Sequence, residues 1–493
     1  MKFKKNLPEK GRALTQRLLT FARTYYLGSC EKFHVPFRIF PPMTLPRFLP
    51  AFLIVLMLCG TSAQQAHAQG FRPSFEAGLS AFNYGDNDLA ARHFWRLAAQ
   101  GDSRAQYYLA YMLDTGLGMG QNIQQAVSYY RKSAEQDYLP AVVYMGYIYS
   151  IGHGLKRDDE QAFKWYARAA QLGDPIAQNN LATMLRMGRP YKKNLPLASQ
   201  WFMQSATQGN MRAQYNLATM YRLGEGVQVN YPEALRWYTF AANQGDVYAQ
   251  NALGYMYRNG NGVEKNPTIA IDWYRRAAEQ GHMPSQFVIA RMYELGEGDP
   301  TKGPEDAAIW YMHAAKTGNA RAQHRVALMY ETGNGLPKDF ASAVSWYRKA
   351  AEENTYPPSM IALGQLYEGG LGVARANPKA AFDWYQKAAE ELYPHGFIEL
   401  GRAHRYGVGT AINPVEAYKW YFLAAEELRG QTSELRNTAV RNISELSATQ
   451  LSPADRDKAN REIETWKARQ GLKRQRLPQG RGNRPADPAF QYE

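Results

Sequence analysis

The sequence predicts an all-α fold, an array of stacked helix-turn-helix units. Three observations predict it. A short helical pattern recurs in register from residue 105 to residue 425, each copy carries glycine stops and an Asn or Asp start, and each second helix carries an aromatic at a fixed place. The copy at residues 249–281 shows the logic. Ala249, Leu253, Gly254 and Tyr257 trace one face of a helix. Gly260 and Gly262 follow, and glycine ends helices cheaply because it tolerates positive φ. Asn266 offers a side-chain oxygen as N-cap, and Pro267 fits the first turn of the second helix. That helix carries Ala270, Trp273, Tyr274, Ala277 and Ala278, and Gly281 ends it.

The register holds column by column. The leading position reads Ala105, Ala141, Ala177, Ala213, Ala249, Ser285, Ala322, Ser359 and Gly396. Five residues on, every unit has Ala or Gly, where a larger side chain would push two helices apart. The first stop is glycine in all nine units, from Gly116 to Gly407. The N-cap column is Asn or Asp except in the sixth unit, which uses Gly303-Pro304. Trp165, Trp201, Trp237, Trp273, Trp310, Trp346, Trp384 and Trp420 share one column, with Tyr129 in the first unit. A ladder for stacking a ligand is one reading. A ring wedged between consecutive hairpins is the reading that periodicity locked to the alanine column favours.

The pattern A-x-x-x-L-G-x-x-Y-x-x-G-x-G-V, then D/N, then A-x-x-W-Y-x-x-A-A-x-x-G, matches residues 213–245 and 249–281 almost throughout. It resembles the Sel-1-like repeat family, a relative of the tetratricopeptide repeat, over about two thirds of the chain. The resemblance implies a right-handed α-solenoid used as a protein-binding adaptor. Periodicity alone implies the stacked helical array.

Along the chain, residues 1–68 come first and are basic, with ten Lys/Arg against two Asp/Glu. An apolar run over 48–59 and Ala66-His67-Ala68 give the signature of a secretory signal peptide cleaved after Ala68. Met43 would start a signal of ordinary length, so 1–42 stem either from an over-extended start or from a long n-region. Twelve apolar residues are too few for a membrane span, so no integral span is expected in the mature chain. Both cysteines, Cys30 and Cys59, lie upstream of the cut, so the exported chain relies on stacking without disulfides. Residues 69–104 read as a linker and an irregular capping hairpin, in which Phe82, Ala91, Phe94, Trp95, Ala98 and Ala99 mimic the second-helix pattern. Nine repeats fill 105–425. Residues 426–469 read as C-terminal capping helices, with Ser452-Pro453 as a start and Ile463 and Trp466 covering the last apolar face. Residues 470–493 read as a basic disordered tail, with weak contact to anionic lipid or polysaccharide as the alternative.

Net charge is +14, of which +8 falls in residues 1–68, and the mildly basic remainder gives no reason to expect nucleic acid as a partner. No nucleophile elbow, His-Glu-x-x-His or phosphate loop occurs, and the histidines fall at different repeat offsets. The expectation is therefore a non-enzyme without cofactor or metal, with His153 and His282 at turns facing solvent. Offsets two, six and nine of each first helix lie opposite the packed face and are expected to line a concave surface. Candidate partner contacts are Tyr107, Asn179, Tyr215 and Asn251 at offset two, and Tyr111, Tyr147 and Tyr255 at offset six. At offset nine Arg186, Arg222 and Arg258 are followed by Glu294, Glu331 and Glu368, like charges that need solvent or a partner. A groove of Tyr, Asn and Arg suits an extended peptide. The implied function is an exported scaffold, periplasmic or secreted, in envelope signalling or exopolysaccharide and cell-envelope assembly. The alternatives are a secreted effector that binds host or competitor proteins, and a cell-wall-acting enzyme.

Overall fold

The structure, a computed structural model, describes residues 71–476, the last five as backbone only. The expected leader and signal segment, and residues 477–493 of the tail, lie outside the described residues. Among those described, the fold is all-α, with 22 helices stacked in adjacent pairs and no strand. The chain forms two compact units, dividing between Gln208 and Gly209.

The first unit contains α1 (Phe75–Asn83), α2 (Asn87–Ala99), α3 (Ser103–Thr115), α4 (Ile123–Glu135), α5 (Leu139–Ile151), α6 (Asp159–Gln171), α7 (Pro175–Met187) and α8 (Leu195–Thr207). The second begins with α9 (Met211–Leu223), α10 (Tyr231–Asn243), α11 (Val247–Asn259), α12 (Pro267–Glu279), α13 (Met283–Glu294) and α14 (Pro304–Lys316). It continues through α15 (Ala320–Thr332), α16 (Phe340–Asn354), α17 (Pro357–Gly369), α18 (Pro378–Glu390), α19 (Pro394–Tyr406) and α20 (Pro414–Glu427). Two further helices, α21 (Glu434–Thr449) and α22 (Pro453–Arg476), follow. The last helix runs on through 470–476, a stretch expected in the tail.

Local chemistry sets these boundaries. The carboxylate of Asp102 accepts the Ala105 N–H at 2.9 Å, and Asn122 accepts the Gln125 N–H at 3.0 Å, so each helix of the first repeat hairpin has its orphan donors capped. Where no side chain caps the first helix, at α5, α13, α17 and α19, a proline stands in its first turn. The second glycine of most of these loops also packs. A Cβ on Gly118 would lie 2.5 Å from the Asn87 carbonyl oxygen.

The wedge between helices is the ring after the tryptophan column. Tyr130, Tyr238, Tyr274, Tyr311, Tyr347, Tyr385 and Phe202 are almost fully buried. Where the small-residue column is glycine the ring leans directly on it, and a Cβ at Gly146 would lie 2.6 Å from the Tyr166 ring. This corrects the expectation for tryptophan. Trp237, Trp384 and Trp420 are buried, but the other five are only half-buried. A cation three residues on covers several: Arg276 sits 4.5 Å above Trp273 and Lys387 3.8 Å above Trp384.

A second column escaped sequence reading. Gln106, Gln178, Gln250, Gln286 and Gln323 donate through Nε2 to the carbonyl eight residues earlier, at 3.1–3.3 Å. The Oε1 of Gln106, Gln178, Gln214 and Gln250 accepts from Gln136, Gln208, Gln244 and Gln280 thirty residues later, at 2.7–2.8 Å. These buried amides tie the end of one hairpin to the next, and their partners offset what burial would otherwise penalise, save at Gln286, whose Oε1 is buried without one. At the C-terminal end, Ile463 and Leu446 are buried and Trp466 stands edge-on to Phe397 and Trp420.

Candidate partner-binding face

The proposed contact residues divide by depth. In the first unit, Tyr107 is ringed by Tyr108, Tyr130 and Tyr138 at 5.5–5.6 Å, and burial pushes its phenol well above the ordinary range. Asn179 is buried and donates to Asn180 at 3.2 Å. Tyr111, 5.8 Å from Phe82, and Tyr147, 5.6 Å from Tyr144, are half-buried, as is Arg186. In the second unit, Asn251 is fully buried and its Oδ1 accepts the Ser285 hydroxyl at 2.9 Å. Arg222 is 7% exposed and donates through Nε to the Tyr238 hydroxyl at 3.3 Å. Arg258 makes a fork to Glu297 at 2.9 and 3.2 Å. Tyr215 stands 5.6 Å from Tyr238, and Tyr255 packs on the apolar core of its unit.

Much of offset two, with Asp114 and Arg222 at offset nine, is therefore buried where an open face was expected. Arg186 and Arg258 are half-buried like most offset-six residues, of which Thr219 is itself 4% exposed. The banded charges are met within the chain. The hydroxyls of Tyr311, Tyr347 and Tyr385 donate to Glu294, Glu331 and Glu368 at 2.8, 2.7 and 3.0 Å. Arg325 pairs with Glu294, and Arg402 forks onto Glu368 at 2.9 and 2.5 Å. The hydrogen bonds from Arg402 hold Glu368 below the usual carboxylate range, against a smaller upward push from burial.

The open stripe of the first helices lies at offsets six and ten and one residue before the leading position. These three fall within about 40° of one another on a helical wheel. In the first unit the stripe presents Ile151 at 45% and Met187 at 59% exposure, one turn beyond Tyr147 and Thr183. In the second it presents Tyr248 and Leu295, both more than half exposed. The offset-ten residues were legible as an apolar run before the glycine stop, Ile151, Met187, Leu223 and Leu295.

The histidines also differ from expectation. His153 is buried, and its Nε2 lies 2.6 Å from Asp114, which also accepts the Tyr144 hydroxyl at 3.0 Å. His282 is half-buried with Nδ1 2.8 Å from the Ser285 hydroxyl, and burial pushes it down to about 4. Among the described residues, no three His, Cys, Asp or Glu side chains gather as a metal site, and no helix is long and apolar enough to cross a membrane.

Comparison with known proteins places this geometry. The Sel1 repeat profile matches nine consecutive segments, at 103–138, 139–174, 175–210, 212–246, 247–282, 284–319, 320–354, 357–391 and 398–427. Among solved structures, c5321, described as a protective antigen present in uropathogenic Escherichia coli strains and displaying an SLR fold, is 29% identical. It aligns with a TM-score of 0.64 over 79% of this chain and 82% of that one. A Sel1 repeat protein from Oxalobacter formigenes is 30% identical, with a TM-score of 0.51 over 65% of this chain and 92% of its own. Among curated proteins, the rat DAP3-binding cell death enhancer 1 shares 38% identity over 56 residues, 11% of either chain.

Proposed function

This chain belongs to the Sel1 repeat family, and from that premise we propose that it is an exported scaffold holding a protein or peptide partner on the open stripe of its first helices. The observation that carries the reading is the stripe of the first unit. Tyr111 and Tyr147 border solvent there, and Ile151 and Met187 expose aliphatic surface beside them. Aromatic and aliphatic side chains on a rigid helical array suit an apolar partner segment. Envelope signalling or exopolysaccharide and cell-envelope assembly is the setting proposed. The similar Escherichia coli protein is described as a protective antigen, which favours a second reading, a secreted effector meeting host proteins.

The test is a pull-down from envelope extract and from culture medium with the wild type and with Ile151→Asp/Met187→Asp. A protein retained by the wild type and lost by the variant supports a partner on this stripe, and the fraction that yields it chooses between the two settings. Equal retention by both proteins moves the partner to another surface. Reversal of Arg186, Arg222 and Arg258 is the wrong probe, since it would bury a carboxylate at position 222 and break the pair at 258.

A further inference from the structure

The N-terminal hairpin lacks a contact that three later hairpins make, and a groove lies at that place. In several hairpins a guanidinium on the second helix reaches a phenol on the next first helix. Arg131 donates to the Tyr149 hydroxyl at 3.1 Å, Arg275 to Tyr293 at 3.3 Å and Arg348 to Tyr367 at 2.5 Å. The register-equivalent pair in the N-terminal hairpin is Trp95 and Leu113. No polar bridge spans that pair. Phe94 takes the buried wedge position, and Trp95, which shares the second-helix pattern, is 48% exposed. Beside it lies a groove of about 570 Å³, lined by Phe71, Ala91, Trp95, Arg96, Leu113 and Met119. That volume lies in the range of ligand pockets.

The equivalent groove in the second unit shows what the substitution changes. It is lined by Val344, Arg348, Lys349, Glu352, Tyr367 and Val373. There the Arg348–Tyr367 bond crosses the groove, and Arg348 lies 3.9 Å from Glu352. Arg348 thus has two partners, while Lys349 lies over the Trp346 ring. At the N-terminal groove the walls are apolar, and two arginines stand on its rim. Arg96 lies 5.2 Å above the Phe71 ring, and neither it nor Arg92 makes an ion pair among the described residues. Asp88 is the one acidic group in the lining.

We propose that this groove is a second interaction site, separate from the first-helix stripe, and that it takes an apolar anchor side chain flanked by carboxylates. The anchor seats between Trp95 and Leu113, and the carboxylates meet Arg92 and Arg96 by charge-assisted hydrogen bonds. Trp and Arg are the side chains most often found to dominate interface energy. The charge of the rim selects an acidic partner segment over a basic one.

Fluorescence anisotropy on the full chain tests this with labelled nine-residue peptides. The probe is Asp-Glu-Asp-Leu-Trp-Leu-Asp-Glu-Asp; the comparisons replace its acids by lysine or its three central residues by glycine. The acidic anchored peptide binds, and both comparisons bind at least about tenfold more weakly, as does the probe to Trp95→Ala. Arg92→Glu/Arg96→Glu gives the same loss, and Arg348→Ala and Ile151→Asp give none. All five positions carry exposed side chains, and unchanged far-UV circular dichroism confirms folding. Equal binding of acidic and basic peptides, full affinity in Trp95→Ala, or no binding by the wild type would each overturn the proposal. Self-association of the wild type that Trp95→Ala abolishes, without peptide binding, would give the groove to a second copy of the chain and overturn it as well.

Discussion

The same repeat position serves differently in the two units. At offset nine of α3, Asp114 is buried and takes two hydrogen bonds, from Tyr144 and His153. Both partners come from the following hairpin's first helix and loop. At offset nine of α13, α15 and α17, Glu294, Glu331 and Glu368 are half-buried, and each takes a hydrogen bond from the wedge tyrosine of its own hairpin. Arg325 and Arg402, one hairpin further on, complete two of these sites. A column of like charges is thus no sign of a waiting partner. In both units the carboxylate organises its neighbours, from deep within the first and near the surface in the second.

The largest expected effect breaks the buried version. Asp114→Ala leaves an imidazole and a phenol buried without their shared acceptor and should cost about 3–5 kcal/mol. Hydrogen exchange across α3 and α5 reads it as lost protection confined to the first unit. Glu331→Ala removes one hydrogen bond at a half-buried site and should cost about 1 kcal/mol. Equal losses would erase the contrast in depth. Gly364→Ala falls between them, since the added Cβ would stand 2.2 Å from the Tyr385 ring. Overpacking of this kind costs about 1–3 kcal/mol, and the urea midpoint of the second unit checks it.

These positions also mark what was legible in the sequence. The hairpin array was legible because glycine stops, Asn or Asp caps and small residues must recur wherever two helices meet at one distance. The wedge was misassigned by one residue because Trp273 and Tyr274 alternate with equal regularity, and only the packing decides which ring enters. The open stripe was displaced for a similar reason. Offsets two and nine flank offset six on a helical wheel, and the next hairpin covers that flank in three dimensions. A single repeat carries no record of its neighbour's angle. Trp95 illustrates the same limit, since its apolar character suits a core until Phe94 is seen to occupy the wedge.

A pH titration sharpens the comparison through the second unit. Burial pushes His282 and His324 down to about 4, whereas an unfolded histidine titrates near 6.5. Above about pH 6.5 both states are neutral and the full stability is present. As pH falls from about 6.5 toward 4, only the unfolded chain takes up these protons, and the second unit loses stability. Water still reaches both rings, which limits the loss to about 1 kcal/mol each. Urea midpoints from pH 7.5 to 4.5 should fall, and His282→Gln/His324→Gln should flatten the slope. An unchanged slope in that variant would assign the acid sensitivity to other groups.

The smallest effect concerns the pair that best resembles a partner site. Arg258 sits in the arginine band, with its side chain 20% exposed, and its fork to Glu297 is intramolecular. Partly exposed pairs of this kind couple by about 0.5–1 kcal/mol. A double-mutant cycle with Arg258→Glu and Glu297→Arg isolates that coupling from each side chain's other contacts. If the pair is structural, the single reversals destabilise α11 and the loop after α13, the double reversal recovers most of the loss, and partner retention follows stability. If Arg258 instead holds a partner carboxylate, the double reversal recovers the fold and leaves binding lost. Only the second outcome would return the arginine band to the binding surface, because it separates the charge a partner reads from the charge the fold uses.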